Sequence, residues 1–194
     1  VGLPDDRPYI LYLCSSGFIA PNEAEFVDQW VRALRQAPDA SVRDAAVVVR
    51  PHPENVQPWQ KYDMAEFDDV VVWPHGGANP VDESSKNDFY DSLYHSAMVV
   101  GINTSAQIEA GIVGRPVFTV QTDEHVGTQE GTLHFHYLLE EGGGLLRNAR
   151  GFDEHVTQLA RAFERRPEDG EKLKGFVEAF VRPHGIEIRA TPLI

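Results

Sequence analysis

The sequence predicts a three-layer α/β sandwich, with helices covering both faces of a mostly parallel sheet of about six strands. Three observations carry this expectation. Short apolar runs alternate with stretches of helix length almost from end to end. The runs are apolar on both faces, as strands buried between two helical layers must be. Finally, 42% of the 194 residues are hydrophobic, enough for one full-sized core. A chain of this length buries roughly 70% of the surface its unfolded form exposes, so it needs no staple to fold.

The elements follow in order. Residues 9–14 (Tyr-Ile-Leu-Tyr-Leu-Cys) read as a buried strand. Asn22 and Glu25 have capping-box spacing, and the helix they open sets Phe26, Trp30, Val31 and Leu34 on one side. A strand over 46–49 is ended by Pro51 and Pro53, and another over 70–73 is stopped by Pro74-His75-Gly76-Gly77. A short helix over 88–96 offers Phe89, Leu93 and Tyr94 to the interior. Then come a strand over 98–102, a helix over 104–113 and, after Gly114-Arg115-Pro116, a strand over 117–120. The polar stretch 121–132 reads as loop, a last strand is expected near Leu145, and two helices close the series over 152–164 and 168–180. Trp59 and Trp73 read as packing residues. Residues 1–181 are expected to form a single domain and 182–194 an extended tail. That tail ends on apolar residues and the chain does not begin with Met, which suggests a piece of a longer protein.

Charge and composition exclude several functions. Lys and Arg total 17 against 30 Asp and Glu, a net charge of −13, so a broad nucleic-acid face is not expected. An isolated basic pocket for one small phosphorylated ligand remains open. The single cysteine, Cys14, rules out a disulfide framework or a Cys-rich zinc module and fits a reducing compartment. Apolar runs stop at about six residues against the ~20 of a membrane span, and no signal peptide is visible, so a cytoplasmic location is expected. G-x-G-x-x-G, the P-loop and G-x-S-x-G are all absent, which disfavours dinucleotide, P-loop and Ser-His-Asp hydrolase chemistry. His134 and His136 would share one side of a strand, but no third metal-type ligand stands at a recognisable spacing. No metal or cofactor is expected.

In an open parallel sheet the ligand sits beyond the carboxyl ends of the strands, where strand order reverses. The loops after Cys14, Val49, Trp73, Ile102 and Val120 are therefore the ones to read for chemistry. After Ile102 a helix starts at once on small hydroxyl residues, and the free N–H groups of such a first turn suit a phosphate or diphosphate. Thr104 and Ser105 add hydroxyls, and Glu109, about one and a half turns in, offers an acceptor-only carboxylate for two ribose hydroxyls. The same residues have a plainer reading, a helix cap followed by a solvated surface acid. Arg50-Pro51-His52-Pro53 projects Arg50 and His52 from a rigid loop; Arg offers a donor fork for phosphate and His52 a ring N–H. The plainer alternative is a stiff turn, and the position at the ligand edge favours function. Ser15 and Ser16, before Gly17, are a third candidate lining. The loop 121–132, carrying His125 and Gln129, reads as a lid, an acceptor-side or domain-docking surface, or a solvated connection.

The run from Asp88 to Val117, with Asn103-Thr104-Ser105-Ala106-Gln107-Ile108-Glu109-Ala110 at its centre, resembles the carboxy-terminal, donor-binding half of two-domain GT-B glycosyltransferases. Within that group it is most similar to CDP-glycerol glycerophosphotransferases and capsule or teichoic-acid polymer transferases, relatives of which carry a His-Pro loop like residues 50–53. The resemblance covers about residues 8–165 and implies a Rossmann-like fold. It further implies that Ser15, Ser16, Arg50, Thr104, Ser105 and Ala106 face the donor phosphates, that Glu109 binds the ribose, and that His52 contacts phosphate or the transferred group as the candidate catalytic residue. The expected partners are a nucleotide-activated sugar or polyol and a missing amino-terminal domain holding the acceptor. UDP-N-acetylglucosamine 2-epimerases share the half-fold, so an epimerase-like enzyme and a non-catalytic nucleotide- or protein-binding module stand as alternatives.

Overall fold

A computed structural model of the chain describes residues 7–62, 64–139, 144–164, 167–185 and 187–188. Its centre is a six-stranded, all-parallel sheet of β1 (Tyr9–Leu13), β2 (Ala46–Arg50), β3 (Val70–Val72), β4 (Met98–Val100), β5 (Val117–Val120) and β6 (Leu146–Ala149). The strand order is β3-β2-β1-β4-β5-β6. The chain starts in the middle, winds outward to β3, returns to the other side of β1 and winds outward again. Crossovers from β1 and β4 therefore leave in opposite directions, and a crevice opens between the two loops that follow them.

Side chains alternate across the sheet into two cores. Ile10, Tyr12, Val47 and Val49 pack on one face against α1 (Glu23–Arg35) and α6 (Phe152–Phe163). Leu11, Leu13, Val48 and Val99 pack on the other against α3 (Glu83–Tyr94), α4 (Ala106–Ile112), α5 (Leu133–Leu138) and α7 (Pro167–Phe176). A one-turn helix, α2 (Ala40–Arg43), is capped by the Asp39 carboxylate, which accepts from the Ser41 N–H at 2.8 Å. The Rossmann-like sandwich is thus the observed fold.

Several local expectations are corrected. Asn22 makes no side-chain cap bond; its amide donates to Glu124 at 3.3 Å, and the residue after it, Glu23, turns into the core. The helix expected over 88–96 begins five residues earlier, because Asp82 accepts from the Ser85 N–H at 2.9 Å and sets an N-cap there. The stretch 121–132 contains a 3-10 turn over Asp123–His125 and buries His125 and Gln129. His134 and His136 stand on α5, where residues two apart diverge, so they share no strand face. Trp59 is in the core as expected, whereas Trp73 is 41% exposed. Of the expected tail, residues 183, 184 and 187 lie in turns, with Gly185 N–H bonded to the Arg182 carbonyl and Ile188 N–H to that of Gly185. Residues 189–194 of the expected tail lie outside the described residues.

Candidate functional site

The loops after β1 and β4 are joined by one buried polar cluster. Glu23, at the first position of α1, is 1% exposed and accepts the Ser15 N–H at 2.6 Å, the Ser15 hydroxyl at 3.2 Å and the Tyr12 hydroxyl at 3.1 Å. The Ser15 oxygen in turn accepts the Asn103 N–H at 3.3 Å. Burial pushes the Glu23 carboxyl up to about 8 although these hydrogen bonds pull the other way. Ser15 is therefore not an open lining of the crevice, as the sequence led one to expect: it is fully buried and links the two loops.

The loop after β5 is strapped to the same assembly. Asn103 donates through Nδ2 to the Thr128 carbonyl, and the Thr128 hydroxyl donates to the Ile19 carbonyl at 2.8 Å. Gln129 is fully buried, its amide donating to Ile102 O, Thr119 Oγ1 and Val120 O at 3.0–3.2 Å. His125 is 2% exposed, 2.8 Å from Thr122 Oγ1 through Nδ1 and edge-on to Phe26. Neither residue projects as a lid or docking surface would need; buried hydrogen bonds hold both. Gly101, at the end of β4, approaches β1 so closely that an added Cβ would lie 2.8 Å from the Leu13 carbonyl.

What stays free around the crevice is a small set of donors. Thr104 N–H is taken by the Gln107 side chain at 3.1 Å, the returning half of a capping box, and Gln107 also donates to the Gly101 carbonyl at 3.0 Å. The plainer helix-cap reading is thus half realised, through Gln107 and not through a hydroxyl. Among the described residues the N–H groups of Ser105 and Ala106, and the hydroxyls of Ser16, Thr104 and Ser105, have no hydrogen-bond partner. Glu109 is exposed and unpaired among them, with partial burial moving its carboxyl upward. Phe18, missed in the sequence, stands 85% exposed on the loop after β1; an apolar side chain five residues past the strand's carboxyl end was the available signal.

Arg50 does not extend a free donor fork. It is 5% exposed, with Nη1 2.9 Å from Asp88 Oδ2 and its guanidinium over the Phe89 ring, while Asp88 also accepts the Trp73 indole N–H at 3.1 Å. Arg50 shares a sheet face with Val48 and so points at α3, where Asp88 meets it. His52 is half-buried, and its Nδ1 accepts the Glu54 N–H at 3.2 Å, which leaves the ring proton on Nε2. Gly77, at φ +61°, closes against this loop; a Cβ there would lie 2.9 Å from Pro53 Cα. β2 and β4 flank β1, so the His52 loop and the start of α4 stand at the same sheet end, leaving strands that are about 10 Å apart across two strand spacings. Among the described residues no cluster of three His, Cys, Asp or Glu could hold a metal, and no helix is long and apolar enough to cross a membrane.

No protein-family model and no curated protein matches the chain. Solved structures do. The wall teichoic acid polymerase TagF matches with a TM-score of 0.59 at 14% identity, over 91% of this chain and 40% of that one. A variant of it soaked with CDPG matches at 0.56. The fold is of the GT-B type. The glycotransferase of kitacinnamycin gives 0.55 at 19% identity over all of this chain and 44% of its own, and the S. aureus MnaA–UDP co-structure 0.50 at 18% over 88% and 40%. At these identities the likeness is one of GT-B fold, and this chain spans about 40% of the length of those proteins.

Proposed function

We propose that the chain is the donor-binding half of a transferase moving a sugar or polyol phosphate from a nucleotide-activated donor to a cell-surface glycan or polymer acceptor. One observation carries this reading: at the reversal of strand order, unpartnered N–H groups of Ser105 and Ala106 stand with the unpartnered hydroxyls of Ser16, Thr104 and Ser105. Donors without acceptors at the start of a helix are complementary to a diphosphate. As the bond to the transferred group breaks, negative charge grows on the departing nucleotide phosphate. Donors already fixed in place stabilise it without reorganising. Glu109 accepts from the ribose hydroxyls, and His52 donates its Nε2 proton to phosphate or the transferred group. Ser15 and Arg50 serve from behind, Ser15 by holding the two loops together and Arg50, paired with Asp88, by anchoring the base of the His52 loop to α3. An amino-terminal domain of the same protein would supply the acceptor, and a cytoplasmic location belongs to the same reading.

Calorimetric titration with CDP, UDP and GDP tests it. One of the three is expected to bind, and Glu109→Ala to weaken that binding about tenfold, the ~1.4 kcal/mol of a carboxylate–hydroxyl contact. Absence of nucleotide binding would overturn the proposal in favour of a non-catalytic module. Isomerisation of UDP-N-acetylglucosamine would replace it with the epimerase reading.

A further inference from the structure

A cavity of about 640 Å³, the size of a small-molecule site, lies away from the crevice, around the edge strand β6 between α6 and the α5–α7 side. Two features set it apart. In a chain of net charge −13, its described lining holds Arg147, Arg150, Arg161 and Lys172 against one acid, Glu130. Of these, the Arg150 and Arg161 side chains have no hydrogen-bond or ion-pair partner among the described residues. An unpaired guanidinium beside a cavity is a fork of donors for a phosphate or carboxylate.

The second feature is a relay of amides whose polarity is fixed from one end. Glu130 can only accept, so the Gln121 amide must turn its Nε2 to that carboxylate, 2.9 Å away. Gln121 Oε1 is then left to accept the Asn148 Nδ2–H, which leaves Asn148 Oδ1 facing the other way. Gln158 donates its Nε2–H to the Asn148 carbonyl at 2.9 Å, which likewise fixes its Oε1. Both terminal oxygens, Asn148 Oδ1 and Gln158 Oε1, are buried and receive no hydrogen bond, and both residues line the cavity. Buried acceptors of this kind call for hydroxyl or N–H donors.

We infer that this cavity binds a small phosphorylated polyol or sugar, its phosphate held by Arg150 and Arg161 and its hydroxyls donating to Asn148 Oδ1 and Gln158 Oε1. The site is separate from the crevice at β1 and β4 and does not rest on the transferase reading. The test titrates the 194-residue chain by calorimetry with glucose 6-phosphate, glycerol 3-phosphate, glucose and inorganic phosphate. At least one phosphorylated probe is expected to bind more tightly than both glucose and phosphate. The double variant Arg150→Gln/Arg161→Gln, exposed positions whose change leaves the core intact, is expected to weaken that binding at least tenfold, about 1.4 kcal/mol. Gln158→Met, checked for folding by circular dichroism, is expected to weaken the phosphorylated probe while leaving inorganic phosphate unchanged. Failure of both phosphorylated probes to bind, or binding unaffected by the double variant, overturns the inference. So does phosphate binding as tightly as either probe, since the hydroxyls would then contribute nothing. Displacement of the probe by saturating CDP or UDP would place it in the crevice and overturn the inference as well, whereas a chain that binds no nucleotide leaves this test intact.

Discussion

Replacing Glu23 with glutamine should change how stability depends on pH, because two buried groups with opposite shifts set the expected profile. Glu23, buried and held protonated to about 8 against an ordinary 4.5, binds more protons folded than unfolded between those values. Its contribution to stability is fully present below about pH 4.5 and is lost as pH rises toward 8, at roughly 1.4 kcal/mol per unit. His155 behaves in the opposite sense. Fully buried between Trp30 and Phe118 with neither ring nitrogen bonded, it is pushed down to about 3 from 6.5, so its contribution is present above 6.5 and lost as pH falls to 3. The two slopes cancel between about 4.5 and 6.5, giving a plateau there with a fall on either side. On the alkaline limb, from about pH 6.5 to 8.5, Glu23 alone accounts for a loss of about 2 kcal/mol. Tyr12 and Cys14, its titratable neighbours, are both pushed above their ordinary values and contribute beyond that window. Glutamine can keep the contacts, accepting the Ser15 N–H through Oε1 and donating from Nε2 to the hydroxyl oxygens. Urea unfolding followed by circular dichroism should therefore find the alkaline loss in the wild type and not in Glu23→Gln. Equal losses in both proteins would refute the assignment of a neutral Glu23 to the folded state.

Other perturbations follow from the same geometry. His155→Leu should flatten the acidic limb and raise stability near neutral pH by about 1 to 2 kcal/mol, since it removes a buried ring with no hydrogen bond; a lowered urea midpoint would count against this. Asp88→Ala should cost about 2 to 3 kcal/mol, because it leaves the buried Arg50 guanidinium without a counter-charge, and an unchanged midpoint would show the pair to be idle. Phe18→Ala should leave stability unchanged, given its exposure, and weaken nucleotide binding about tenfold if a base stacks there. Calorimetry with the best-binding nucleotide reads that effect, and unaltered affinity would remove Phe18 from the site.

The sheet was legible because its strands are buried on both faces, and a run such as Val47-Val48-Val49 has no other economical place. The start of α3 was not, because residues 84–87 are Ser, Ser, Lys and Asn and carry no apolar period; Asp82 three residues before Ser85 was the only local mark. Buried polarity was illegible for a related reason. The stretch 121–132 has the composition of a solvated loop, and nothing in that composition tells that Gln129 finds three acceptors inside. Glu23 did leave a trace. It stands three, four and seven residues before Phe26, Val27 and Trp30, on the buried stripe of α1, yet an acid in a first turn reads most readily as a partner of the helix dipole.

That trace bears on how the crevice works. Glu23, Ser15, Asn103 and Thr128 tie the loops after β1, β4 and β5 into one body through buried hydrogen bonds. The groups left free lie at its surface: the Ser16, Thr104 and Ser105 hydroxyls and the first amides of α4. A site meant to meet charge that grows during a reaction gains from this division, because its donors are positioned before the ligand arrives and none must first be freed from a competing bond. Loosening the body while leaving the free donors in place should then lower affinity without removing a single ligand contact. Ser15→Ala does this. It deletes the oxygen that receives the Asn103 N–H and leaves that N–H buried and unpaired, at a cost of about 1 to 3 kcal/mol. Nucleotide affinity measured by calorimetry should fall along with stability in this variant. Affinity that holds while stability drops would mean that the loops after β1 and β4 act independently.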